Sequence, residues 1–145
     1  MRSGFFLLVL LAVFSGCQML STAPEVSRVH LVVEGTTFAL DRGGHGYVVP
    51  WVVENQGSET AYLSRCGDRL SFELERWENT AWVNASAAIC PAIYSMVPLP
   101  LAPGQALRGV GQISTPGRYR LRLGVSERAD VELRWVLVSE PFTIQ

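Results

Sequence analysis

From residue 28 onward, apolar and polar positions alternate with a period of two over most of the chain, the pattern of strands that bury one face. Val29, Leu31 and Val33 alternate with Arg28, His30 and Glu34, which predicts a half-buried strand with His30 on its wetter side. Asp41-Arg42-Gly43-Gly44-His45-Gly46 is a glycine-rich turn. Residues 47–54 predict the next strand, with Tyr47, Val49, Trp51 and Val53 on one face. Pro50 has no amide proton for a ladder, so it predicts an edge position or a bulge there. Asn55-Gln56-Gly57 turns the chain, and a short strand around Ala61 and Leu63 runs into Cys66-Gly67-Asp68. Leu70, Phe72 and Leu74 then face in, while Ser71, Glu73 and Glu75 face out. Residues 78–81 read as a four-residue hairpin loop that sets the indoles of Trp77 and Trp82 against each other across the strands.

Residues 85–96 are the least strand-like stretch, with one short helical turn expected near Cys90. Pro98, Pro100 and Pro103 follow, and Ala102-Pro103-Gly104 is a strong turn signal. Strands resume over residues 105–113. Tyr119, Leu121 and Leu123 alternate with Arg118, Arg120 and Arg122; Leu133, Trp135 and Leu137 alternate with Glu132 and Arg134; Phe142 and Ile144 close the chain. Many short strands between turn signals, with no sustained amphipathic helix, predict an all-β antiparallel β-sandwich of about seven to nine strands.

The run Thr115-Pro116-Gly117-Arg118-Tyr119-Arg120-Leu121 resembles the P-G-x-Y-x-L segment of many immunoglobulin-like and fibronectin type III-like domains. That resemblance implies an immunoglobulin-like sandwich and makes Tyr119 the tyrosine-corner residue, its hydroxyl bonding backbone just upstream. Leu101-Ala102-Pro103-Gly104-Gln105 resembles the turn that leads into the strand before it. The series from Val53-Glu54-Asn55 through residues 101–104 to Tyr119 is also similar to the bacterial intracellular proteinase inhibitor family, over about residues 47–124. The chain departs from the antibody pattern, because Leu121 stands two residues after Tyr119 where a cysteine is usual. Cys66 and Cys90 are too near in sequence for the inter-sheet bridge.

The first residues follow another logic. Arg2 precedes an unbroken apolar stretch over residues 5–14, too short to span a bilayer as a helix, and Phe14-Ser15-Gly16-Cys17 resembles a lipobox. The resemblance implies a bacterial lipoprotein in which residues 1–16 are a signal peptide, Cys17 is fatty-acylated and residues 17–27 tether a domain formed by residues 28–145. Several acyl chains are required for a lasting anchor, since one chain binds membrane only marginally. Gln18 after the cysteine resembles the signal for the outer membrane, with the domain facing the periplasm. With Cys17 acylated, Cys66 and Cys90 remain as an even pair in an oxidising compartment and are expected to form a disulfide. Their spacing is far from any C-x-x-C, and no histidine flanks either, which argues against a metal or redox pair.

Composition narrows the function classes. Twelve basic residues, all arginine, stand against thirteen acids, for a net charge of −1. Without residues 1–16 the balance becomes eleven arginines against the same thirteen acids, so no basic surplus exists to neutralise phosphates, and nucleic acid is excluded as a partner. No lysine is available for chemistry. His30 and His45 stand in no metal-ligand spacing, and the sequence holds no nucleophile elbow and no readable carboxylate dyad. We therefore expect no enzyme, no cofactor and no metal centre, although His45 with Asp41 could form an exposed metal site.

Two binding candidates remain. Arg118, Arg120 and Arg122 place three guanidinium groups on one strand face, suited to an anionic ligand or an acidic partner unless Glu73, Glu75 or Glu132 neutralise them. Residues 91–103 carry Tyr94, Met96 and Leu99 in a proline-broken apolar segment that could dock another envelope protein or fold back over the core. The expected function is a lipid-anchored, non-catalytic protein-binding or accessory module. Its alternative is an envelope protein that binds a small ligand, an anion or a metal.

Overall fold

Sequence alternation becomes sheet throughout the computed structural model, which describes residues 28–38, 40, 44, 46–86, 97–129 and 135–145. The strands are β1 (Val29–Val33), β2 (Thr37–Phe38), β3 (Tyr47–Asn55), β4 (Ala61–Leu63), β5 (Arg65–Cys66), β6 (Arg69–Leu70), β7 (Phe72–Glu78), β8 (Ala81–Asn84), β9 (Leu99–Leu101), β10 (Ala106–Ile113), β11 (Gly117–Ser126), β12 (Trp135–Val138) and β13 (Phe142–Ile144). Among the described residues the segments outnumber the seven to nine expected, because β2, β5 and β6 are two-residue pieces and the last strand is split. The expected signal peptide, Cys17, the tether, Asp41, His45, Cys90, Tyr94 and Met96 lie outside the described residues.

The fold is an all-β, immunoglobulin-like sandwich. One sheet has the order β1-β3-β10. The other is organised around β11, the longest strand, which pairs with β13 and β12 along one side and with β7 and β4 along the other. Beyond these, β2 adds to β13, β8 to β7 and β9 to β4. All pairings are antiparallel except that of β2 with β13. Inward-facing Val29, Leu31, Val49 and Val53 of the first sheet meet Leu63, Leu101, Tyr119, Leu123, Val125, Phe142 and Ile144 of the second, all buried.

Two irregularities along β11 have local causes. β12 and β13 lie on one line, offset by a residue at Ser139. The Ser139 amide donates to the Leu121 carbonyl at 2.9 Å, while the Leu121 amide donates to the Ser139 hydroxyl at 3.0 Å. The serine side chain thus takes the ladder position its carbonyl would have held, and Ser139 is correspondingly buried. On the other side, residues 64–71 are extruded between β4 and β7 as the β5–β6 hairpin. It is closed at its base by the Ser71 amide on the Ser64 carbonyl at 2.9 Å and by the Ser64 hydroxyl on the Ser71 carbonyl at 3.2 Å.

Pro50 is not at a sheet edge, as its sequence suggested, since β3 lies between β1 and β10. Its carbonyl accepts from the Glu34 amide at 2.9 Å, so its hydrogen-bonding edge faces the side on which β1 has already ended at Val33. The missing amide proton therefore leaves no gap toward β10, where Pro50 faces Val110.

Tyr119 is buried near the start of β11, and its hydroxyl donates to the Thr115 carbonyl at 3.0 Å with the Thr115 hydroxyl 2.8 Å away. This is the geometry of a tyrosine corner. Its ring lies 6.2 Å from that of Phe142, which in turn meets Phe38 edge-on at 5.6 Å. At the opposite end, Asn55 ties the turns together. Its side-chain amide donates to the carbonyls of Glu59 and Leu101 at 2.8 and 2.9 Å, and its oxygen accepts from the Gly57 amide at 2.9 Å. The chain enters the domain at this end, where the Gln56 amide donates to the Arg28 carbonyl at 2.9 Å.

Candidate functional site

The outer face of the β8-β7-β11 region carries the densest cluster of aromatic and charged side chains among the described residues. It begins with the β7–β8 turn. Asn79 and Thr80 have φ of 46° and 72°, the left-handed pair that a two-residue type I′ hairpin requires. The loop is thus two residues long, with Glu78 and Ala81 paired, rather than the four expected. In this register the Trp77–Trp82 pair is the closely spaced, non-hydrogen-bonded kind, and the indoles meet with centroids 5.2 Å apart at 66°.

β11 lays the three arginines beside them. Arg120 faces Glu75 and Arg122 faces Glu73 in the β7–β11 register. The Arg120 Nε donates to Glu75 at 2.5 Å and an Arg122 terminal nitrogen donates to Glu75 at 2.8 Å, with Glu73 at 3.4 Å from Arg122. Glu75 was expected to face solvent; it does point to the outer face, but it is only 7% exposed because these side chains close over it. Burial pushes its carboxyl up, and the hydrogen bonds and charges of Arg120 and Arg122 outweigh that, so the net displacement is below the ordinary carboxylate value of 4.5. Arg120 also lies over Trp82, 4.5 Å from its centroid.

Arg118 differs from its two neighbours. Among the described residues it has no carboxylate partner, and its guanidinium stands 5.9 Å from the centroids of both Trp77 and Trp82. Arg118 is exposed and Trp77 retains 38% of its surface. The sequence put three equivalent cations on this face. The structure neutralises two and leaves the third beside a pair of indoles. The signal for this lay in the two-residue spacing that sets Glu73 and Glu75 opposite Arg122 and Arg120, and it required the β7–β11 pairing to be read.

Leu99 belongs to a different place. It is half-buried in edge strand β9 opposite Leu63, and it lines an open groove of about 710 Å³ with Trp51, Leu70, Phe72 and Leu107. Gly109 lies opposite Trp51 in the β3–β10 register, and a Cβ on it would overlap the indole, which packs on Phe72 at 4.7 Å. Cys66 sits half-buried on the β5–β6 hairpin, opposite Arg69. No group of three metal-ligating side chains occurs among the described residues. No helix among them is long and apolar enough to cross a membrane.

No protein-family model matches the chain. No curated protein matches it in sequence. Among solved structures it is similar to the ASH/PapD-like domain 7 of human CEP192, at 16% identity with a TM-score of 0.40, covering 99% of this chain and 94% of that one. It is also similar to the CARDB domain of a Pyrococcus furiosus protein, at 13% identity with a TM-score of 0.34, covering 81% of this chain and 94% of that one.

Proposed function

We propose that this chain is a lipid-anchored bacterial envelope protein, held by an acylated Cys17 and acting without catalysis as a protein-binding module. The observation that carries this reading is the face formed by Trp77, Trp82 and Arg118, where a guanidinium with no carboxylate partner among the described residues adjoins two indoles that are not sequestered in the core. Tryptophan and arginine are the side chains on which binding energy most often concentrates in protein interfaces.

Its position supports the same reading. The chain enters the sandwich beside Gln56, whereas Trp77 and Arg118 lie at the end of β7 and the start of β11, the opposite end. A tether of residues 17–27 therefore leads into one end and leaves the aromatic face at the other. In this reading Cys66, beside the turn of the β5–β6 hairpin, pairs with Cys90.

The test is chemical cross-linking of the lipidated protein in its native envelope, with mass spectrometry of what is retained and Cys17→Ser as the control. A single stoichiometric partner, reduced by Cys17→Ser and by Trp82→Ala, is the expected result. Recovery of the chain alone at every cross-linker length contradicts the proposal.

A further inference from the structure

The Trp77, Trp82 and Arg118 corner, we infer, recognises a carboxylate side chain presented by an acidic segment of the partner protein. This rests on the binding face proposed above and names the chemistry it takes.

Three features of the face lead there. First, its charges are unevenly satisfied: Glu75 engages Arg120 and Arg122, and Glu73 adds to Arg122, so these two cations are already neutralised within the sheet. Among the described residues Arg118 has no carboxylate partner and lies by the faces of two indoles, at the outer limit of a cation–π contact. Such a contact leaves the five N–H donors of a guanidinium unused, and their planar fork matches a carboxylate in a bidentate way.

Second, the surroundings raise the worth of that pairing. The two indoles form a corner at 66° beside Arg118, and a segment laid against them excludes water from one side of the guanidinium, which strengthens an ion pair made there. Third, among the described residues no acid complements Arg118 on this face. Glu78, the remaining acid of β7, is drawn to Arg76 at 3.4 Å on the other side of that strand. The face is a strand surface rather than a cleft, which suits an extended protein segment better than an enclosed sugar or small anion.

The probe is an octaglutamate peptide, titrated into the Cys17→Ser protein and followed by ¹H–¹⁵N spectra of the four indole N–H groups. Saturable shifts confined to the Trp77 and Trp82 resonances, weakening as salt rises, are expected. Arg118→Ala should weaken binding about tenfold or more, the effect of losing roughly 1.4 kcal/mol or more of a charge-assisted contact. Arg118→Glu should abolish it, and Arg122→Ala should change it less than twofold.

Three results would overturn the inference: no saturable shift, equal binding by Arg118→Ala, or shifts that spread to Trp51 and Trp135. Binding of polygalacturonate with no binding of octaglutamate would assign the corner to an anionic glycan and overturn it too. If the peptide fails to bind while envelope cross-linking still yields a partner sensitive to Trp82→Ala, the binding face stands and the carboxylate specificity falls.

Discussion

Glu75 and Arg120 face each other across β7 and β11 and hydrogen-bond at 2.5 Å, with Glu75 only 7% exposed although its strand position belongs to the outer face. A second bond from Arg122 makes Glu75 the hub that holds two of the three arginines in place. Among the described residues Arg118 is the one of the three without a carboxylate, because Glu75 and Glu73 engage the other two.

Glu75→Gln removes that hub. At neutral pH the loss of two charge-assisted hydrogen bonds should destabilise the domain by about 2 kcal/mol, at the low end because both guanidinium groups keep contact with water. The native carboxyl titrates below the ordinary value of 4.5, so the unfolded chain takes up the proton first as pH falls. The stabilisation is then complete above about pH 4.5 and disappears as pH drops through the lower native value. Urea midpoints should therefore differ between the two proteins at pH 7 and converge as pH falls below the native value of the Glu75 carboxyl. A gap that stays constant with pH would show that Glu75 does not stabilise through its charge.

Asn55 is buried, and its side chain hydrogen-bonds three backbone groups of the turns at the end of the sandwich beside Arg28. Asn55→Leu fills a similar volume but leaves the carbonyls of Glu59 and Leu101 and the amide of Gly57 without those partners. About 2 to 4 kcal/mol of stability should be lost, read as a lower denaturant midpoint with an unchanged slope. A loss below 0.5 kcal/mol would mean water replaces the side chain.

Thr80 occupies a left-handed position that a β-branched residue tolerates poorly. Thr80→Gly should raise stability by about 1 kcal/mol and leave the Trp77–Trp82 contact in place, because a two-residue type I′ turn favours glycine at its second position. The checks are thermal unfolding and the near-ultraviolet circular dichroism of the indole pair. A lower melting temperature would show that the entropy glycine gives the unfolded chain exceeds the strain it removes.

Pairing of Cys66 with Cys90 would close a loop of twenty-five residues. In the chain-entropy account such a bridge contributes roughly 3 to 4 kcal/mol, so reduction should lower the melting temperature by many degrees. An unmoved melting temperature would remove the bridge from the account.

Much of the fold was legible because alternation reports which face of a strand is buried, and it does so wherever one face packs on a core. Val29 and Leu31, Val49 and Val53, and Tyr119, Leu121 and Leu123 all point where their spacing puts them. Pro50 misled because a proline's cost depends on which side its missing donor faces, and that is decided by where β1 ends. The joint between β12 and β13 is set by the Ser139 hydroxyl entering the ladder, a side-chain contact with no periodicity. The candidate site was half visible. Period-two spacing collected the arginines and the indoles on single faces, but which arginine stays unpaired depends on the β7–β11 register, set by the excursion of residues 64–71. That excursion carries its own turn signal at Gly67, and nothing in its composition says that the sheet resumes on the same side of β11.

The most direct test places a photo-cross-linking amino acid at Asn84, exposed beside Trp82 on the same face of β8, and separately at Val32, which is 51% exposed on the outer face of β1. Irradiation in the native envelope should attach one partner through position 84 and none through position 32, and the product should disappear when Arg118→Ala is added. Equal cross-linking from both positions, or a product at position 84 that survives Arg118→Ala unchanged, would contradict the assignment of this face as the binding surface.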